Sequence, residues 1–227
     1  MLNKTDQDRI AAAITQAESN TSGEIFCVLT RDVSRYREVP LAWATIAALL
    51  APPLLVLSGL ERLALADIFT SWTDESVRAV ENLILRALTT YSLLQAGIFI
   101  SVALIVSVPA VRRLMTPGVL RHHRVRQAAR RHFVAAGARL SHAEPHILIY
   151  ASLADRRVEL VAHHAIHDAV GEGPWNEAVA AVTQSTKSGH PADGFVKGIE
   201  ICGAALAAHF PPDGPPKNRL PNTILQT

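Results

Sequence analysis

The chain has 227 residues, room for one domain or two small ones and too few for a large multidomain enzyme. Apolar residues at 49% and charged residues at 19% exclude a disordered chain, and 22 Lys plus Arg against 20 Asp plus Glu lie too near balance for a global nucleic-acid binder. Two cysteines, Cys27 and Cys202, exclude a disulfide-dense module and a four-cysteine zinc site.

Thr5-Asp6-Gln7-Asp8 carries the side-chain oxygens of an N-cap box, and Ile10, Ile14 and Ala17 follow at helical spacing, which predicts a helix from Asp6 to Ser19. Thr21-Ser22-Gly23 turns the chain into Glu24 to Thr30, an apolar run of strand length that expects cover on both faces. Leu41 to Leu60 and Ala87 to Val111 are then free of charge for twenty and twenty-five residues, each enough helix to cross hydrocarbon. Buried core helices in so short a chain would show a polar stripe; these do not, so both read as transmembrane, with a kink at Pro52-Pro53. The polar, acidic start from Met1 to Asp8 is unlike a secretory leader, so the N-terminus is expected to be retained.

Arg31, Arg35 and Arg37 precede the first span, and Arg112, Arg113, Arg121, Arg124, Arg126, Arg130 and Arg131 follow the second. Arg62, Arg78 and Arg86 face five acids between them, so the positive-inside rule puts both termini in the cytoplasm and Glu61 to Arg86 outside. In that outer segment Thr73 is placed to cap a helix with Val77, Val80 and Ile84 on one side, lying at the interface or extending the second span.

Beyond Pro117-Gly118, the steps Val125, Ala129, Phe133, Ala136 and Leu140 predict an amphipathic helix with an arginine-rich wet side. A strand from His146 to Ser152 follows, then a turn at Asp155-Arg156-Arg157 into an antiparallel strand from Val158 to Ala162. The first two strands, joined by a long crossover, are expected to be parallel neighbours with the hairpin inserted in their connection. Helices from Trp175 to Lys187 and from Ala192, with Asp193 as cap, to Phe210 close the domain, and Leu220, Ile224 and Leu225 are able to dock the Pro-rich tail. The expected organisation is therefore a soluble domain in two pieces, 1–39 and 115–227, interrupted by a hairpin at 40–114.

Thr21-Ser22-Gly23-Glu24-Ile25, the strand pair His146 to Leu153 and Arg157 to Ala162, and Gly189-His190-Pro191-Ala192-Asp193-Gly194-Phe195 resemble the TPM-domain family, in particular a bacterial branch whose domain is interrupted by two transmembrane helices. The resemblance covers essentially the whole chain. It implies an α/β fold, a three-layer α/β/α sandwich with a mixed sheet, and in some members divalent-metal binding and acid phosphatase activity; others act as assembly or receptor-modulating factors. Magnesium, more than calcium, is the hard cation that a cytoplasmic site would meet.

Candidate metal ligands are His163, His164, His167, Asp168 and Glu172 after the third strand, with Asp155 before it; Asp155, Asp168 and Glu172 are the first choice for a hard cation. The competing reading makes the histidine run a solvated turn. Arg156 and Arg157 present guanidiniums suited to a phosphate or carboxylate, against the plainer reading of an exposed turn. Glu24, Asp32 and Asp193 complete the carboxylates expected near a sheet edge. The usual phosphatase machinery is missing: Val33 and Ala208 stand where a cysteine phosphatase needs arginine, and no Gly-x-Ser-x-Gly elbow occurs. Arg121 to Arg131 is the strongest basic run, but it lacks interleaved stacking aromatics, so its expected partner is lipid and not nucleic acid. These expectations converge on a membrane-bound binding or assembly module with a protein partner, and on a divalent-metal phosphohydrolase as the alternative.

Overall fold

The computed structural model describes residues 2–33, 36, 38–58, 78–138, 140, 145–212, 214 and 219–227. These form a mixed α/β structure with eight helices and a four-stranded mixed sheet among the described residues. Two compact units are present, Met1–Arg35 with Gly118–Thr227, and Tyr36–Pro117. The interruption expected at 40–114 thus extends a few residues further at each end.

In the first unit, α1 (Lys4–Glu18) begins two residues before its expected start, because Asn3 and not the Thr5 box is the cap: its Oδ1 accepts from Asp6 N at 2.7 Å. β1 (Glu24–Thr30) and β2 (His146–Ser152) pair in parallel over their whole length, from Glu24 opposite His146 to Thr30 opposite Ser152. β3 (Arg157–Ala162) is antiparallel to β2, and β4 (Leu225–Gln226) adds a parallel edge strand against Val28 and Leu29, giving the order β3-β2-β1-β4. That two-residue strand comes from the tail, whose brevity left no strand pattern to read.

The period of two along β1 and β2 sorts their side chains to opposite faces. Ile25, Cys27, Leu29, Ile147 and Ile149 join Ile10 and Ile14 of α1, Val182 of α7 (Gly173–Lys187) and Phe195, Ile199 and Leu206 of α8 (Pro191–His209). Val28, Leu148 and Tyr150 instead meet Val125 and Ala129 of α5 (Gly118–Gly137). Helices therefore cover both faces, which is why β1 and β2 carry apolar side chains without alternation. Burying each large aliphatic side chain contributes about 1.5–3 kcal/mol.

Between β3 and α7 the chain forms α6 (His164–Val170), a helix where only a turn was expected; Ile166 is its buried anchor. Asp193 does not cap α8. His190 occupies the N-cap without a side-chain bond, while Asp193 Oδ1 accepts from Arg9 Nη2 at 2.8 Å.

The second unit contains α2 (Glu38–Leu57), α3 (Arg78–Ser107) and α4 (Pro109–Met115). α2 continues as helix through Pro52 and Pro53. α3 stops at Ser107 instead of reaching Val111, because Val108 precedes a proline and takes extended φ/ψ, and Pro109 starts α4. Val80 and Ile84 belong to α3, so that part of the segment between the two apolar stretches extends the second apolar helix; Thr73 and residues 59–77 lie outside the described residues. By length and composition α2 and α3 are both able to cross a membrane. The apolar window of α3, Leu88–Ser107, is only 6% buried, and Leu93 and Leu104 are 68% and 66% exposed.

Candidate functional site

The candidate residues before and after β3 are held at different ends of the sheet. Asp155, Arg156 and Arg157 occupy the turn that joins β2 to β3, beside the C-terminal ends of β1 and β2. Ser152 Oγ donates to Asp155 Oδ2 at 2.9 Å and accepts from Asp155 N at 3.4 Å, closing the turn on a buried carboxylate. Arg156 completes the reversal at φ +50°, and its side chain is exposed. Arg157 Nη1 lies 3.5 Å from His122 Nδ1 of α5, which lies 3.2 Å from Glu159 Oε1. The guanidinium of Arg157 thus faces α5, and the one Nδ1 of His122 either accepts from it or donates to Glu159, according to the tautomer. Tyr150, whose phenol bonds Thr30, sits just inside; burial pushes its hydroxyl pKa up, against the Thr30 hydrogen bond and with help from the Asp155 charge.

His163, His164, His167, Asp168 and Glu172 follow the other end of β3. Six residues of strand, about 20 Å, separate that end from the Asp155 turn. His163 N donates to His146 O at 3.0 Å, so His163 sits beside the start of β2. A row of rings results: Phe133 stacks on His146 at 4.4 Å, His146 lies 5.5 Å from His163, and His163 lies 4.1 Å from His164. His164, His167, Asp168 and Glu172 are exposed. Among the described residues no three His, Cys, Asp or Glu side chains come together as a metal-holding group. Asp155 therefore does not join Asp168 and Glu172 in such a group: β3 is antiparallel to β2 and carries the chain away between them. Of the remaining carboxylates, Asp193 pairs with Arg9 on the helices, and Asp32 follows β1 at the hairpin end.

His146 and Phe133 were not legible as partners of His163, since their contact depends on the β2–β3 register and the placing of α5. A second polar centre holds the tail, and its members Glu24, Leu220 and Ile224 are legible in the sequence while their contacts are not. Glu24, at the start of β1, is buried, and its two carboxylate oxygens accept from Arg219 N and Leu220 N, each at 3.0 Å. Asn222 Nδ2 donates to Thr15 Oγ1 at 3.1 Å, and Leu2 N to Gln226 Oε1 at 3.1 Å. Leu220 and Ile224 are buried beneath these bonds, whereas Leu225 stays 41% exposed. Glu24 thus serves as the fastening of the tail.

Glu18 lies beside it and accepts from Ile25 N at 2.8 Å. Burial pushes its carboxyl up to about 7; the Ile25 bond opposes this, the Glu24 charge adds to it, and a hydrogen bond from Asn222 opposes it. An acid whose folded pKa exceeds its unfolded value stabilises the fold at low pH and loses that contribution as pH rises between the two values. Unfolding free energy is therefore expected to fall between pH 4.5 and 7. Glu18→Gln should flatten this slope by on the order of 1 kcal/mol after allowance for partial exposure, as read by denaturant titration at pH 5 and 8. An unchanged slope would remove Glu18 as its origin.

A cavity of about 270 Å³ lies between α5 and the docked tail, lined by Phe26, His132, Ala135, Ala136, Leu220, Pro221, Thr223, Ile224, Leu225 and Gln226. Burial lowers the His132 pKa, favouring neutral imidazole against this apolar wall. The thiols offer no nucleophile: burial pushes Cys202 up to about 12 and Cys27 well above its ordinary value, with the Cys202 and Glu18 charges adding to the latter.

No family model matches the chain, and no curated protein matches it. Among solved structures it is similar to the NMR structure of BA42 protein from the psychrophilic bacterium Bizionia argentinensis, with a TM-score of 0.55 and 20% identity over 100% of this chain and 96% of that one. At that identity the likeness concerns the fold alone.

Proposed function

We propose that the chain is a membrane-anchored binding or assembly module, in which a three-layer, TPM-like α/β/α domain is carried at the cytoplasmic face of the inner membrane by the α2–α3 hairpin. The outward apolar side chains of α3 support the anchor, because water would not stabilise them and lipid does. The arginines flanking the hairpin support the orientation. The observation that carries the choice of module over enzyme is the separation of the Asp155–Arg157 turn from the histidine-rich segment across β3. A hydrolase needs acid, base and anion-binding groups to converge within hydrogen-bond reach. A partner protein at the membrane needs only a surface.

The phosphohydrolase alternative draws on one feature, the buried Asp155 carboxylate held by Ser152 close to Arg157. The full chain in detergent, assayed on p-nitrophenyl phosphate with and without magnesium or calcium, is expected to hydrolyse no faster than its Asp155→Asn and Arg157→Ala variants. A wild-type rate roughly tenfold or more above both variants would replace the module with the enzyme.

A further inference from the structure

α5 is the longest basic element outside the apolar helices, and it holds no Asp or Glu among its twenty residues. Its buried side, Val125, Ala129 and Ala136, packs on the sheet, and His122 is taken up by Arg157 and Glu159. The opposite side places His123, Arg126, Gln127, Arg130, Arg131 and Val134 at steps of three and four residues, all exposed. Three guanidiniums and an imidazole therefore form a stripe along a little over two turns. The helix opens at Gly118, with only Thr116 and Pro117 between it and α4, whose Arg112, Arg113 and 84%-exposed Leu114 precede it.

We infer that this stripe is a docking face for anionic phospholipid. The inference rests on the membrane reading of α2 and α3 proposed above. Chain continuity keeps the start of α5 close to the headgroups, and its charge is complementary to theirs. Val134 and the 83%-exposed Val119 add apolar contact at the two ends of the helix. Each arginine near an anionic surface shifts the docked-to-free ratio about fivefold, so three together shift it about a hundredfold. Nucleic acid, the rival polyanion, is favoured less, since no Phe, Tyr or Trp lies on this stripe to stack on bases.

The test uses the full chain reconstituted into vesicles. Cys27 and Cys202 are buried, so Gln127→Cys provides the labelling position on α5 for an environment-sensitive fluorophore, with Glu177→Cys on α7 as the comparison. In vesicles of phosphatidylcholine and phosphatidylglycerol in equal parts, the label at 127 is expected to shift to the blue and resist an aqueous quencher. It should do neither in phosphatidylcholine alone, after 1 M salt, or in the combined Arg126→Glu, Arg130→Glu and Arg131→Glu variant, and the label at 177 should respond to none of these. A carbonate-resistant chain whose label at 127 ignores phosphatidylglycerol overturns the docking face and leaves the anchor standing. Extraction of the chain by carbonate overturns the anchor and the face with it. Protection at 127 by single-stranded RNA on phosphatidylcholine vesicles, without protection by phosphatidylglycerol, assigns the stripe to nucleic acid and overturns the lipid reading.

Discussion

Gly198→Leu is expected to destabilise the α/β unit by about 3 kcal/mol or more, among the largest effects of any single exchange in it. Already a Cβ at this position of α8 would stand 2.7 Å from Val182 Cγ2 of α7, with Ile149 of β2 behind it at 3.9 Å. A leucine has nowhere to go, since Val182 is itself fully buried. A Cβ at Gly194, one turn earlier, would stand 2.7 Å from Ser185 Cβ and 3.0 Å from Val182 Cα, and one at Gly203 would stand 2.7 Å from Ala17 Cβ of α1. α8 thus reaches both neighbours through glycines. Gly118→Ala, at a position with open space around it, serves as the comparison and should change stability by no more than about 0.5 kcal/mol. Denaturant unfolding of both variants checks the pair; equal midpoints would show that α7 and α8 separate without cost.

Glu24→Ala is expected to cost about 3 kcal/mol and to release the tail. Its carboxylate receives two backbone N–H groups, each worth about 1.5–3 kcal/mol when the acceptor is charged. Glu24→Gln should rescue little, because its amide nitrogen would face one of those donors where an oxygen stood. Limited proteolysis is the direct readout: cleavage C-terminal to Arg219 should become rapid in both variants while the rest of the α/β unit persists. Resistance equal to the wild type would mean that burial of Leu220 and Ile224 suffices to hold the tail.

Much of this fold is legible where periodicity is strong. The bounds of β1 and β2 follow from uninterrupted apolar runs, and their parallel pairing follows from the long crossover between them. Two chemically ordinary details moved helix ends: a cap supplied by Asn3, and a proline that divides α3 from α4 at Val108. The α/β unit's fourth strand was illegible because two residues carry no period, and their pairing depends on Glu24 and Asn222 contacts made far along the chain. The candidate site was legible only as residue types. Asp155 and the His163–Glu172 segment are close in sequence, yet an intervening strand extends the chain, and only the β2–β3 register shows which ends they occupy.

The parallel pairing of β1 with β2 also governs how the molecule comes to be made. Thr30 ends β1 and His146 begins its neighbour, so residues 31–145 must be translated before the two meet. At roughly ten residues per second that interval lasts on the order of ten seconds, during which a nascent seven-residue strand, greasy on both sides, has no mate. On the membrane reading proposed above, insertion of the α2–α3 hairpin would fall within the same interval. Nascent chains arrested before His146 should accordingly depend on chaperones and be prone to strand-edge aggregation, whereas those arrested after Ala162 already contain all three principal strands.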